Sequence, residues 1–428
     1  MSEMGCSIRQ APFRGWEAYY MENGLVRLVA VPQIGGRVMA YDLGDYPFLF
    51  VDPDLAGKTF SAEEHQGDGS LAAWKNYGGE KTWPAPQGWD NDEQWHGPPD
   101  PVLDSGRYTV EEAMATAGQA TVRMVSPPDP RTGVQITREI TMHTDSSRVT
   151  LHLRFCNVKE KPIRWSIWDV VQLRAEQQLA DGSWVHDSSC TVTTPLNPES
   201  RFERGYNVMF GAADNAQWDV NREHELFVAR YLWEIGKVGI DSPGGWLAFS
   251  QGREEMAFVE RFPYQPEAIY PDEGATVECW TVGAGQVDNL DYEGSGIHLM
   301  ETEVLGPLQE IGPGGSTELT IEWAAARCPG PVVAVNPAGC AARPLTVGEQ
   351  DKGLFLTGRF GVFDRGDLLY RGYDGTGALL AERHLGPVDP LQTLAVREVV
   401  PAATELVRVE LVVRTGTGDE RLLSEAAP

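Results

Sequence analysis

Apolar and polar residues alternate with period two along most of this 428-residue chain. In "RVTLHLRF" (148–155), Val149, Leu151, Leu153 and Phe155 fall on one face, and Thr150, His152 and Arg154 on the other. That is the pattern of a strand with one buried face. "VQITREITMH" (134–143) precedes it across the turn Thr144-Asp145-Ser146-Ser147, and the two segments predict an antiparallel hairpin. "LVRLVAV" (25–31), "STELTIEW" (316–323) and "ELVRVELVVR" (405–414) behave alike. Sustained helical periodicity is nearly absent, and glycine and proline punctuate the apolar segments at short intervals. The pattern predicts an all-β protein.

A boundary is expected near 324–345, where the sequence turns rich in Pro, Gly and Ala. All 13 tryptophans lie at or before Trp323, so the composition changes there too. Residues 331–428 hold 10 Lys/Arg against 13 Asp/Glu, which leaves 25 against 49 in the rest of the chain. The expected organisation is a large two-sheet domain over 1–330 and a small C-terminal β-sandwich over 331–428 that supplies no catalytic group.

The formal net charge of −27 argues against nucleic acid and anionic membranes as partners. No run approaches the ~18 apolar residues of a membrane span. The opening "MSEMGCSIRQAPFRGWEAYY" lacks the basic and apolar regions of a secretion signal, so a cytoplasmic location is expected. Six cysteines stand far apart with no CxxC pair, which fits neither a disulfide framework nor a zinc site. No metal and no cofactor are expected, and the sequence sets no oligomeric state.

The stretch that carries chemistry is "NYGGEKTWPAPQGW" (76–89). Its glycine pair and two prolines predict a loop. Trp83, Trp89 and Trp95 fall within 13 residues, beside Glu80, Lys81, Gln87 and His96. A flat ring next to fixed donors and acceptors suits a sugar, whose C–H faces are apolar and whose hydroxyls need polar partners. A small sugar or an oligosaccharide is the expected ligand. Trp165, Trp246 and Trp323 sit in apolar strands and read as core.

"ENGLVRLVAVPQIGGRVMAYDLGDYPFLFV" (22–51) resembles the opening of the galactose mutarotase-like (aldose 1-epimerase-like) superfamily: a strand, a glycine pair with a following basic residue, a second strand. "GIHLMETEVLGPLQEIGPGGSTELTIEW" (296–323) resembles its closing segment. "GGEKTWPAPQ" (78–87) and residues 246–283 resemble one bacterial branch of it. The resemblance covers about residues 20–325 and implies a large antiparallel β-supersandwich with a sugar-sized cleft on its concave face. It also implies a catalytic base at Glu301, in Met300-Glu301-Thr302-Glu303 where the superfamily has Leu-Glu-Thr-Gln.

Two histidines of the superfamily pattern are missing. Tyr77 stands where a sugar-binding histidine precedes the early glycine pair, and "NVKEKPIRWSIWDVVQL" (157–173) carries Trp168, Asp169 and Val170 where the general-acid histidine belongs. Anomeric isomerisation needs a base for the C1 hydroxyl and an acid for the ring oxygen. His96 is the expected replacement, with Asp169 second because burial must first raise its pKa. Lys237 resembles a lysine of the bacterial branch. His186, between Trp184 and Asp187, and Glu278, between Val277 and Cys279, complete the candidate binding set with Trp95 and Trp168. His65, in "SAEEHQGDG", reads as loop surface, and His298 as structural. The expected function is a sugar isomerase. A carbohydrate-binding protein without catalysis is the alternative, as is a lyase or hydrolase that pairs Glu301 with Asp169 or Glu278.

Overall fold

A computed structural model describes residues 5–287, 290–291, 295–350, 353–401 and 405–428. The chain is all-β: a large antiparallel sandwich of two sheets, then a small β-sandwich. The first large sheet runs from Ser7–Phe13 at one edge to Asn207–Gly211 at the other. Its middle is the order Arg37–Leu43, Glu80–Ala85, Ile163–Arg174, Leu299–Leu305, Val277–Thr281 and Gly236–Ile240. The second sheet has ten strands and contains the hairpin expected from alternation: Val134–His143 pairs with Val149–Asn157, with Val149 opposite Met142. Val149, Leu151, Leu153 and Phe155 point inward and are fully buried between the sheets. Trp165, Trp246 and Trp323 are buried as well.

The glycine-proline stretch is a strand over Glu80–Ala85, not a loop, and all six of its residues are buried. Two local features explain the difference. Gly78 and Gly79 take φ of +90° and +71°, and a Cβ on either would lie 2.3–2.4 Å from the carbonyl of Phe50 or Val38, so only glycine fits the crossing. Beyond Glu80 the strand is laddered on one flank alone, against Ile163–Arg174, and Pro84 is tolerated beside an open flank.

Residues 334–426 form two four-stranded sheets around a separate cluster that includes Leu356, Phe360, Tyr370, Val409 and Leu411. Their contact with the large sandwich is apolar in part, where Cys340 and Phe363 pack with Trp246, Ala248 and Val259, and polar in part. Buried Arg148 pairs with Asp364 at 3.2 Å, Ser146 Oγ donates to Asp364 at 2.7 Å, and the Ser147 amide donates to the Phe363 carbonyl at 2.8 Å. No helix among the described residues is long and apolar enough to cross a membrane.

Candidate functional site

Register decides which side chains meet. In antiparallel pairs, residues directly opposite share a face and successive residues alternate. Trp83 lies opposite Trp168, and Lys81 opposite Val170. Gln172 lies opposite Glu301, and Val170 opposite Glu303. Glu301 then faces Trp280, and Glu303 faces Glu278. Trp280 is opposite Lys237, which is opposite Phe210. Six neighbouring strands therefore aim one row of aromatic, acidic and basic residues at a single face.

That face forms the floor of a cleft. Trp83, Trp168 and Trp280 floor it with Gln172, Lys237 and Glu301; Trp74, Trp89 and Phe210 wall it. Glu301 Oε1 accepts from Lys81 Nζ at 3.0 Å and from Gln172 Nε2 at 2.6 Å. The Lys81 ammonium lies 4.9 Å from the centre of the Trp83 ring. Burial lowers the Lys81 pKa, although Glu301 pulls it up. Lys237 is 2.7 Å from Glu278 and 3.0 Å from Glu303, and sits 4.4 Å over the Trp168 ring. Trp168 Nε1 donates to Glu303 at 2.9 Å. Burial opposes the charge on Lys237, but the two carboxyls hold its pKa above the usual lysine value; burial raises both carboxyls. Trp83 and Gln172 border the cleft, and their buried Nε1 and Oε1 atoms have no hydrogen-bond partner. One is a donor and the other an acceptor, the complement a hydroxyl requires.

Trp74 is held by a support that the sequence reading missed. Its Nε1 donates to Asp104 at 2.9 Å, and Asp104 also pairs with buried Arg37. His65 is buried against this group, its Nε2 3.8 Å from Asp104, and so is not loop surface: the capped helix Ala62–Gln66 turns it inward. Tyr77 belongs to the same layer, edge-on to Trp16 at 5.9 Å and buried, and it does not border the cleft.

Several expected site residues lie elsewhere. His96 is exposed and borders a separate surface cavity with Arg131, Lys159 and Arg164. Trp95 next to it turns inward, fully buried, with its Nε1 donating to Asp100 at 2.8 Å; the alternation that buries Trp95 sends His96 outward. His186 stacks on Trp233 at 6.1 Å and is also outside the cleft. Glu278 reaches the face only as the buried partner of Lys237. Asp169 and Glu80 alternate with Trp168 and Lys81, so they point between the two sheets. There Glu80 pairs with buried Arg138, and Thr82 Oγ1 lies 3.5 Å from Asp169. Glu260, from the opposite sheet, faces the same interior. Neither Asp169 nor Glu80 can touch a ligand in the cleft.

This interior sets a pH dependence. Burial raises Glu260 to about 8, helped by Glu80 and Glu303, and burial also raises Asp169, beside Glu80. A carboxyl whose folded pKa exceeds its unfolded value favours the folded state in acid, and that contribution drains away as pH rises from about 4 to 8. The melting temperature is therefore expected to fall between pH 6 and pH 9. Glu260→Gln should flatten that fall, which thermal denaturation across pH will measure. An unchanged slope in the variant would assign the dependence elsewhere.

No group of three or more His, Cys, Asp or Glu among the described residues is arranged to hold a metal ion. Residues 17–326 match a family model described as a domain of unknown function, DUF4380. No curated protein sequence matches the chain. Among solved structures, the chain is similar to a galactose mutarotase-like protein from Clostridium acetobutylicum, with 11% identity over 76% of this chain and 99% of that one and a TM-score of 0.47. It is also similar to the Slr1438 protein from Synechocystis, with 12% identity over 74% and 99% and a TM-score of 0.45. A galactose mutarotase-related enzyme from Lactobacillus acidophilus gives 9% identity over 73% and 98% and a TM-score of 0.43. Likeness at this level transfers no activity.

Proposed function

The chain belongs to the DUF4380 family, and we propose that this member binds a carbohydrate in the Trp83–Trp168–Glu301 cleft and isomerises it at the anomeric carbon. The observation that carries the reading is the pairing of tryptophan rings, Trp83 edge-on to Trp168, with unpartnered polar atoms: Trp83 Nε1 and Gln172 Oε1 on residues that line the cleft with Glu301. Apolar ring faces match the C–H faces of a sugar, and the free donor and acceptor match its hydroxyls.

Glu301 is the base that takes the C1 hydroxyl proton. Lys81, which is buried and meets the cleft only through its 3.0 Å contact with Glu301, is assigned as the acid that protonates the ring oxygen. It replaces the histidine that neither His96 nor Asp169 can supply, and its lowered pKa brings it closer to the useful range. The C1 hydroxyl and the ring oxygen sit on one carbon, so an acid and a base held 3.0 Å apart can serve both once the sugar enters between them. A hydrolase pair gains no support, because Asp169 faces away and Glu278 and Glu303 are locked on Lys237. The two sheets beyond residue 331 supply none of the cleft lining, which supports a structural task for them.

The test is titration of wild-type protein with monosaccharides and disaccharides by calorimetry, followed by polarimetry on freshly dissolved single anomers. Binding with faster anomer interconversion is the expected result. Binding without acceleration would favour the non-catalytic carbohydrate-binding reading, and absence of binding would overturn both.

A further inference from the structure

The aromatic lining of the cleft changes character from floor to mouth. Trp83 and Trp168 are 4% and 3% exposed, whereas Trp89 is 61% exposed and Phe210 36%. All four border the same cleft. An apolar ring left that open is unfavourable without a partner, and large exposed aromatics at the rim of a cleft mark contact surface.

Both rim residues are held in place. The loop that carries Trp89 is closed on each side of it: the Gly88 amide donates to the Trp95 carbonyl at 2.8 Å, and the Asp90 amide donates to Gln94 Oε1 at 2.7 Å. Phe210 lies on the edge strand Asn207–Gly211 and packs edge-on to Trp280, with ring centres 6.2 Å apart at 71°. The rim thus offers fixed ring surface beyond the floor that holds Glu301. Glu301, Gln172 and Lys237 lie along the floor, Asn76 and Gln87 also border the cleft, and Trp89 and Phe210 add ring surface for stacking.

We infer that the cleft takes two linked sugar rings, the reducing-end ring on the floor against Trp83, Trp168 and Glu301 and the next ring between Trp89 and Phe210. The inference rests on the sugar reading above and adds its substrate class: the reducing end of a disaccharide or longer chain. A free C1 hydroxyl at the floor keeps the ligand within reach of Glu301, and the glycosidic link runs outward through the 4-, 3- or 6-position of the inner ring.

Calorimetry on matched pairs tests it: cellobiose against glucose, galactobiose against galactose, mannobiose against mannose, xylobiose against xylose. At least one disaccharide is expected to bind tenfold or more tightly than its monosaccharide. The double variant Trp89→Ala/Phe210→Ala should cut that preference by tenfold or more, and Trp89→Tyr, which keeps a stacking ring, should restore part of it. A melting curve close to wild type confirms that each variant is folded. Equal affinity for a monosaccharide and its disaccharide overturns the inference and leaves the sugar reading standing. So does a double variant with an unchanged preference. Failure of every pair to bind overturns the sugar reading first, and this inference with it.

Discussion

Glu301→Gln is expected to lower anomer interconversion by about 10²–10⁴-fold while the protein stays folded and still binds sugar. The amide keeps an oxygen for Lys81 and Gln172, so the hydrogen bonds at 3.0 and 2.6 Å have a successor, and only the capacity to take a proton is lost. Lys81→Gln should fall comparably for the opposite reason, loss of the proton donor. The pH profile separates the two roles. Burial depresses the Lys81 pKa, so the alkaline limb of activity should fall below the ordinary lysine range, because rising pH strips the acid of its proton. Polarimetry between pH 5 and 10 reads both effects. Retained turnover in Glu301→Gln would move the chemistry away from this carboxylate.

The sandwich was legible because its strands are amphipathic. Alternation in 134–155 gives both the hairpin and its inward face, as the register of Val149 with Met142 shows. The tryptophan-rich stretch at residue 83 reads as a loop in the sequence and is a strand, and Trp83, Gln87, Trp89 and Glu301 border one cleft. What sequence could not supply was the phase of each residue relative to that cleft. Asp169 and Trp168 are neighbours in the chain and occupy opposite faces of the sheet, so proximity to a site motif said nothing about access to the site. His96 failed for the same reason. Gln172 and Trp280 went unnoticed because their strands read as ordinary buried segments; only pairing across the sheet brings them to Glu301. One signal was present and unused. In "VQITREITMH" an arginine stands in the inward phase with Val134, Ile136, Ile140 and Met142, and a cation there requires a buried partner.

That partner is Glu80, and Arg138→Met is expected to be among the most destabilising single changes in the chain. Arg138 and Glu80 are fully buried, their carboxylate and guanidinium paired between the sheets, and Arg138 also donates to the Gly36 carbonyl. Removing the cation strands Glu80 beside Asp169 and Glu260, whose carboxyls are already pushed upward by burial. Breaking a buried pair in this way costs about 3–5 kcal/mol, most of it the penalty on the charge left behind. Two consequences distinguish this account from a simple loss of packing. The destabilisation should shrink in acid, where the neighbouring Asp169 and Glu260 carboxyls, raised by burial, are neutral and no longer repel the unpaired carboxylate. The double variant Arg138→Met/Glu80→Met should recover much of the loss, because replacing both partners with apolar groups of similar size removes the unpaired charge. Urea denaturation of the four proteins at pH 5.5 and pH 8 gives the cycle directly. Additive losses, equal at both pH values, would mean that Arg138 and Glu80 act on stability independently.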